Sequence, residues 1–239
     1  MRDINPFENP ESLVMPAKAR RYALVEGVQF LPEGIHAALA YSPPAAQQSI
    51  GWHFFEHAGK SPNSGLYAKK LFLDGLTRML AERVRNGKGL VLALADFDDQ
   101  KAMNTRFGHT AVDGIHNVFG KVVLDAIRLE DIAGCVGGDE YGIVLNRTNQ
   151  EDALPVLERI RLRTTEAARE YLKSDVPVTL SIGAVGSFDH YGSVPIALQR
   201  RKDFVQEFAG VLMREAETLR QVAKEQGKDR IVMYSRPHS

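Results

Sequence analysis

The sequence Gly137-Gly138-Asp139-Glu140-Tyr141 separates two short apolar segments, residues 132–136 and 141–145. Two strand-forming segments joined by a Gly-Gly turn predict a β-hairpin with two carboxylates at its tip. Turns accept Asp and Gly for backbone reasons alone. This stretch by itself therefore leaves open whether the carboxylates are solvated turn residues or functional groups.

A second acidic strand end lies upstream of the hairpin. Residues 89–95 form a continuous apolar run that is typical of a strand buried on both faces, and Asp96 follows it. Side chains alternate along a strand, so Asp96 and Asp98 share a face if the strand extends that far. A hairpin beside this strand would bring Asp139 close to Asp96. Converging carboxylates repel one another unless a hard cation such as Mg²⁺ lies between them.

Composition restricts the class of protein. The chain has 239 residues, with 30 Lys and Arg against 30 Asp and Glu, which suits one moderately large domain with or without a small appendage. The balanced charge gives no sign of a nucleic-acid or membrane partner. The single cysteine, Cys135, excludes an internal disulfide and predicts a cytoplasmic protein with a buried, inert thiol. No apolar run approaches the roughly 20 residues of a membrane span.

The first 60 residues differ in composition from residues 61–239. Six of the eleven prolines fall in this segment, and prolines interrupt long elements, so residues 1–60 are predicted to form an arm or small appendage. From about residue 61 the patterns predict helices over 67–85, 109–127, 151–172 and 204–226. Strands are predicted over 89–96, 176–184 and 230–234 in addition to the hairpin. Helices packed on a mixed sheet define an α+β fold.

Further motifs accompany the two acidic strand ends. They are Asp96-Phe97-Asp98-Asp99-Gln100-Lys101 with Asn104, His109 and Asp113, then Val178-Thr179-Leu180-Ser181-Ile182-Gly183, then Lys224-Glu225-Gln226-Gly227-Lys228-Asp229. Together with the hairpin tip they resemble, in order and spacing, the GGDEF domain of diguanylate cyclases over about residues 61–235. The resemblance implies a palm-like nucleotidyl cyclase sandwich. It also implies an enzyme that condenses two GTP into cyclic di-GMP and releases two pyrophosphates.

The resemblance assigns metal-binding and catalytic roles. Asp96 and Asp139 match the metal ligands, with the backbone carbonyl of Phe97 as a third contributor. The metal is expected to be Mg²⁺, with Mn²⁺ as an alternative, and two cations per site would clamp the attacking and leaving oxygens. Asp139 is also placed to assist deprotonation of the hydroxyl, and Glu140 matches the second acid of the signature. Lys101 matches a lysine that stabilises the transition state with positive charge.

Other matched positions bind the substrate. Asn104 and Asp113 match the pair that recognises guanine, and His109 matches a substrate-contacting position. A carboxylate accepts hydrogen bonds from guanine N1–H and N2–H, donors that adenine lacks, so Asp113 favours GTP over ATP. Lys224 and Lys228 match the pair that holds the triphosphate, together with backbone N–H groups from residues 97–100. The alternative for both lysines is a solvated helix end.

Arg128 and Asp131 match, in pattern and placement, the RxxD site at which cyclic di-GMP inhibits family members. An arginine can bind a phosphate of the product through two hydrogen bonds. The alternative is an ordinary ion pair at a helix end. The chain departs from the family pattern at Gln100 and Tyr141, where Phe is expected, and at Cys135, where Arg is expected. The positions matched to metal and guanine are intact.

Two further hypotheses stay open. One is a non-catalytic GGDEF module that binds GTP or cyclic di-GMP, and the other is a palm cyclase that makes another cyclic or oligomeric nucleotide. A cyclase of the resembling family needs two active sites facing each other, because one site cannot present two α-phosphates to two 3′-hydroxyls. The sequence therefore predicts an isologous homodimer that is weak or transient.

Overall fold

The computed structural model describes residues 59–87, 89–187 and 202–234. The predicted N-terminal arm lies outside these ranges except for its last two residues, so its boundary stays a prediction. The described chain contains five helices and five strands. In order they are α1 (Lys69–Asn86), β1 (Leu90–Phe97), α2 (Gln100–Phe107), α3 (His109–Ala126), β2 (Ile132–Cys135), β3 (Glu140–Asn146), α4 (Gln150–Leu172), β4 (Leu180–Gly186), α5 (Lys202–Glu225) and β5 (Arg230–Met233).

The strands form one mixed sheet in the order β2-β3-β1-β4-β5. β1 lies at the centre and pairs antiparallel with both β3 and β4, whereas β5 pairs parallel with β4. Every residue of β1 is buried, as its unbroken apolar sequence predicts for a strand with neighbours on both edges and helices on both faces. The α+β prediction is therefore confirmed.

The side chains of β1 alternate between two apolar layers. Val91, Ala93 and Ala95 contribute to a core that includes residues of α3 and α4. Leu90, Leu92 and Leu94 contribute to a second core that includes residues of α1 and α5. Because the period of a strand is two, the next position on the second face is Asp96. The sheet thus directs this carboxylate toward the layer that contains α5.

Most predicted elements are observed with shifts of one or two residues at their ends. The exceptions are the strand predicted over 176–184, which begins only at Leu180, and α2, which was not predicted as a helix. Met103 is the one buried residue of α2. A helix with a single buried position has no apolar period to detect. No helix in the described ranges combines the length and apolar character that crossing a membrane requires.

Gly183 of β4 sets how closely α5 approaches the sheet. A Cβ at this position would lie 2.1 Å from the backbone nitrogen of Arg220 and 2.2 Å from the carbonyl oxygen of Ala216. Both atoms belong to the backbone of α5 and cannot rotate away, unlike the tip of a flexible side chain. Glycine at 183 therefore permits the close packing that brings α5 over the end of β1.

Gly183→Ala is expected to destabilise the protein by about 1–3 kcal/mol, because α5 must move away from the sheet to accommodate the methyl group. Urea denaturation measures the change. The matched control is Gly210→Ala within α5, where the added Cβ finds its nearest contact at 3.5 Å, on the Arg214 side chain. This change should stabilise the helix by up to about 1 kcal/mol. Equal stability of the two variants would contradict the close-packing argument.

Candidate active site

The acidic hairpin forms as predicted. β2 and β3 pair antiparallel, with Cys135 opposite Tyr141. The turn between them closes with hydrogen bonds from Glu140 N to Gly137 O at 3.3 Å and from Val136 N to Glu140 O at 2.9 Å. Asp139 lies in the turn with 47% of its side chain exposed. The Cys135 thiol is half-buried, and burial raises its pKa, which favours an inert thiol.

The sheet register brings the two acidic strand ends together. Asp96 of β1 lies directly opposite Glu140 of β3, so Asp139 is one residue away from the pair. This agrees with the expectation that the hairpin packs beside the central strand. β1 ends at Phe97, one residue short of Asp98. Asp98 instead accepts hydrogen bonds from Thr179 Oγ1 at 2.7 Å and Ser181 Oγ at 2.6 Å.

Asp96 is 9% exposed and is paired with two cations from α5. Its Oδ2 accepts hydrogen bonds from Nη1 of Arg220 and from Nζ of Lys224. No donor among the described residues reaches Oδ1 of Asp96. Lys224, matched to a triphosphate-binding residue, therefore lies at the site. Asp96 keeps one carboxylate oxygen available for a ligand bond.

Sequence analysis missed Arg220, whose side chain is only 7% exposed. Its guanidinium donates to Glu217 Oε2 at 2.8 Å and to Glu140 Oε1 at 3.1 Å, in addition to Asp96. Burial lowers the pKa of Arg220, but the nearby carboxylates of Glu217 and Asp96 raise it by more, so the net shift of the pKa is upward. The available signal was the i, i+4 spacing of Arg220 and Lys224, which places both on one face of α5.

Sequence analysis also missed His116 of α3, which joins the two positions where the family pattern expects Phe. Tyr141 Oη lies 2.8 Å from Nδ1 of His116, and Gln100 Nε2 lies 3.3 Å from Nε2. The same Nε2 lies 3.5 Å from Oδ1 of Asp139. Two unexpected polar residues near the hairpin were the signal for a buried polar partner. The ring also stacks edge-on against Phe97, with centroids 4.9 Å apart.

The start of α2 meets the turn that follows α5. Asp99 precedes α2 in the left-handed conformation, with φ 52°, and its Oδ1 accepts a hydrogen bond from Lys228 Nζ at 2.5 Å. Lys228, the second residue matched to triphosphate binding, thus lies in a turn beyond the helix rather than within it. The backbone N–H of Asp98 was predicted to join the phosphate cradle. In the structure it donates instead to Thr179 O, at 2.9 Å.

The residues matched to guanine recognition lie on α2 and α3. Asn104 is half-buried in α2, whereas His109 and Asp113 are exposed in the first turns of α3. Asp113 Oδ1 accepts a hydrogen bond from Asn63 Nδ2 at 2.9 Å, a contact that sequence analysis did not foresee. Lys101 is exposed in α2.

The residues matched to product inhibition form a corner between α3 and β2. Asp131 is buried and accepts hydrogen bonds from the backbone nitrogens of Arg128 and Asn146, both at 2.8 Å. The Arg128 side chain is exposed. The Asp131 carboxylate therefore holds the corner to the end of β3 through backbone groups.

The donor chemistry suits a hard cation. Mg²⁺ binds oxygen ligands and takes only one or two carboxylates alongside substrate phosphates. Asp96 Oδ1 and the exposed Asp139 supply two carboxylates at one end of the sheet. Within the described part of the chain, no group of three His, Cys, Asp or Glu side chains converges as a metal site.

A mixed five-stranded sheet with an acidic hairpin beside its central strand is the palm-like fold. Residues 62–230 match the family described as "Diguanylate cyclase, GGDEF domain", so the chain belongs to the GGDEF family. It is 29% identical over 164 residues to the diguanylate cyclase DgcP of Pseudomonas aeruginosa, covering 69% of this chain and 23% of DgcP. It is also 29% identical over 157 residues to the response regulator PleD of Caulobacter vibrioides, covering 63% and 34%. The chain thus spans about a quarter to a third of these relatives.

Solved structures support the fold assignment. The GGDEF domain of DgcB from Caulobacter crescentus in complex with c-di-GMP matches with a TM-score of 0.61 and 22% identity, covering 74% of this chain and 95% of that one. The active GGEEF domain of a diguanylate cyclase from Vibrio cholerae matches with a TM-score of 0.58 and 26% identity, covering 71% and 97%.

His116→Gln is expected to reduce the loss of stability as pH falls. Burial lowers the pKa of His116 below its ordinary value of 6.5, against a smaller opposing effect of Asp139, Asp113 and Asp96. Below about pH 6.5 the imidazole therefore takes up a proton more readily in the unfolded chain than in the folded chain. As a result, the free energy of unfolding decreases as the pH is lowered. Chemical denaturation from pH 8 to pH 5 measures this slope. The control is His109→Gln at an exposed ring, and a slope unchanged in His116→Gln would contradict the assignment.

Proposed function

We propose that this domain is a diguanylate cyclase, which condenses two GTP into cyclic di-GMP with release of pyrophosphate. The observation that carries the proposal is the register that sets Glu140 opposite Asp96, with Lys224 of α5 on the same carboxylate. Membership of the GGDEF family and the intact guanine-matched residues support it. The non-catalytic module and the cyclase with another product are the competing outcomes of the test below.

Each residue group has a distinct task in this proposal. Asp96, Asp139 and the Phe97 carbonyl would hold two divalent cations, Mg²⁺ or Mn²⁺, which would supply positive charge to the reacting phosphates. Asp139 also accepts the proton of the 3′-hydroxyl, with Glu140 beside it. Lys101, Lys224 and Lys228 place positive charge beside the triphosphate, which stabilises the negative charge that develops in the transition state.

The proposed reaction needs two copies of the domain. Each domain binds one GTP, so two domains must face each other across a two-fold axis for each 3′-hydroxyl to reach the other α-phosphate. We propose a weak or transient cytoplasmic homodimer in which cyclic di-GMP is product and, through Arg128 and Asp131, inhibitor.

The direct test is incubation of the full chain with GTP, ATP or both, first with Mg²⁺ and then with Mn²⁺, with products identified by mass spectrometry. Cyclic di-GMP from GTP alone supports the proposal. Binding of GTP without turnover under all conditions indicates the non-catalytic module. An adenine-containing or linear oligomeric product indicates the other palm cyclase.

Asp139→Asn is expected to lower the rate of product formation by about 100-fold or more, the scale for removing one electrostatic stabiliser of a transition state. The fold should persist because the side chain is half exposed in a turn. Rates at saturating Mg²⁺ and thermal melts measure the two effects. Asp125→Asn, at an exposed position of α3, is the control. A fully active Asp139→Asn variant would falsify the metal assignment.

Asp113→Ala is expected to weaken GTP binding by about 10- to 100-fold, the effect of removing a charged hydrogen-bond partner, and to weaken ATP binding much less. Calorimetric titration with each nucleotide measures the difference. Asp125→Ala removes a carboxylate from the same helix without touching the matched position. Equal losses for GTP and ATP would show that Asp113 does not recognise guanine.

Specific activity is expected to rise with protein concentration until the homodimer saturates, by mass action. A dilution series of rates, with sedimentation velocity on the same samples, measures both quantities. Constant specific activity at concentrations where only monomer sediments would contradict the two-fold mechanism.

A further inference from the structure

The Arg220 guanidinium is buried among three carboxylates from three elements. Nη1 contacts Asp96 of β1, Nη2 lies 3.1 Å from Glu140 Oε1 of β3, and Nε lies 2.8 Å from Glu217 Oε2 on α5. The Arg220 side chain is 7% exposed and that of Asp96 13%, so this ion pair is shielded from water, whereas Glu140 and Glu217 are 43% and 46% exposed. Arg220 therefore joins the helix to both acidic strand ends through a single cation.

Arg220 contacts two carboxylates that have roles in the proposed function. Asp96 is a metal ligand there, and Glu140 lies beside the second metal ligand, Asp139. Attraction of Asp96 for an external cation is reduced by a positive charge already in contact with it. Lys224 adds a second positive charge on the same oxygen, Oδ2. The positive charges of Arg220 and Lys224 therefore weaken the binding of a metal ion to Asp96.

Arg220 is also placed to receive phosphate. It lies one helical turn before Lys224, and both side chains reach the same atom of Asp96. A triphosphate bound by Lys224 therefore comes within reach of the Arg220 fork, which matches phosphate oxygens in a bidentate manner. A bound phosphate therefore gives the guanidinium an anionic partner other than Asp96.

We propose that Arg220 is a positioning residue that makes metal binding depend on nucleotide. Without nucleotide it holds Asp96 and Glu140 in place and opposes the binding of a free divalent cation. With a nucleoside triphosphate it transfers to phosphate oxygens, so that less positive charge opposes a metal on Asp96. This proposal rests on the proposed function, because it takes Asp96 as a metal ligand. The coupling is reciprocal, so the metal also strengthens nucleotide binding.

The test measures Mn²⁺ binding to the full chain by electron paramagnetic resonance, with and without a GTP analogue that carries a methylene between the α- and β-phosphorus atoms. In the absence of nucleotide, Arg220→Met should bind Mn²⁺ about 10-fold more tightly than the wild type, the scale on which residues around a ligand change metal affinity. The gain in Mn²⁺ affinity on adding the analogue should shrink by a similar factor.

Two further variants separate charge from packing. Arg220→Gln keeps hydrogen bonding but has no charge, so it should behave like Arg220→Met and replaces it if that variant does not fold. Arg220→Lys keeps the charge and should restore weak binding of Mn²⁺ alone. Arg83→Met is the matched control, because Arg83 is a fully buried arginine of α1 whose ion pair is with Glu82 and not with Asp96. It should leave Mn²⁺ binding unchanged.

The outcomes are distinct. Unchanged Mn²⁺ affinity in folded Arg220→Met and Arg220→Gln overturns the proposal and leaves Arg220 as a structural ion pair. Tight binding in Arg220→Lys as well overturns the charge argument. If the wild type makes no cyclic di-GMP but the uncharged variants still tighten Mn²⁺ binding, the proposed function fails and the role of Arg220 stands. Normal product formation with unchanged Mn²⁺ binding refutes the role of Arg220 alone.

Discussion

The pairing of Asp96 with cations from α5 is the interaction on which the site depends. β1 is the central strand of the sheet, so a carboxylate at its end has little access to water, and burying an unpaired charge is costly. Arg220 and Lys224 compensate that charge, and they reach it only because Gly183 lets α5 pack directly on β4. The core packing of one helix thus fixes the electrostatics of the site.

The polar cluster around His116 shows how two departures from the family pattern depend on each other. Tyr141 and Gln100 stand where phenylalanine is expected, and both lie against the imidazole of His116. A buried polar group is tolerated when its partners are present and is destabilising when they are missing. The two replacements therefore form one polar network in a place where the family pattern predicts apolar packing, and the network reaches Asp139.

Asp131 illustrates that one motif can carry two demands. Its carboxylate accepts backbone hydrogen bonds that hold the corner before β2 and the end of β3, a role that any ligand-binding function must share. Arg128, by contrast, is exposed and projects from the same corner. An arginine at the surface can bind phosphate without disturbing the fold, whereas the buried carboxylate cannot be withdrawn from its structural partners without cost.

The sequence by itself determined the family, the central buried strand, the acidic hairpin and the matched residues, because these are encoded by local turn chemistry, apolar period and motif order. It did not reveal α2, which buries only Met103 and so lacks a period. Only the tertiary structure decided that Arg220, His116 and Asn63 join the matched residues. Each contacts a residue between 25 and 124 positions away, and contacts at such separations are set by how the helices pack on the sheet.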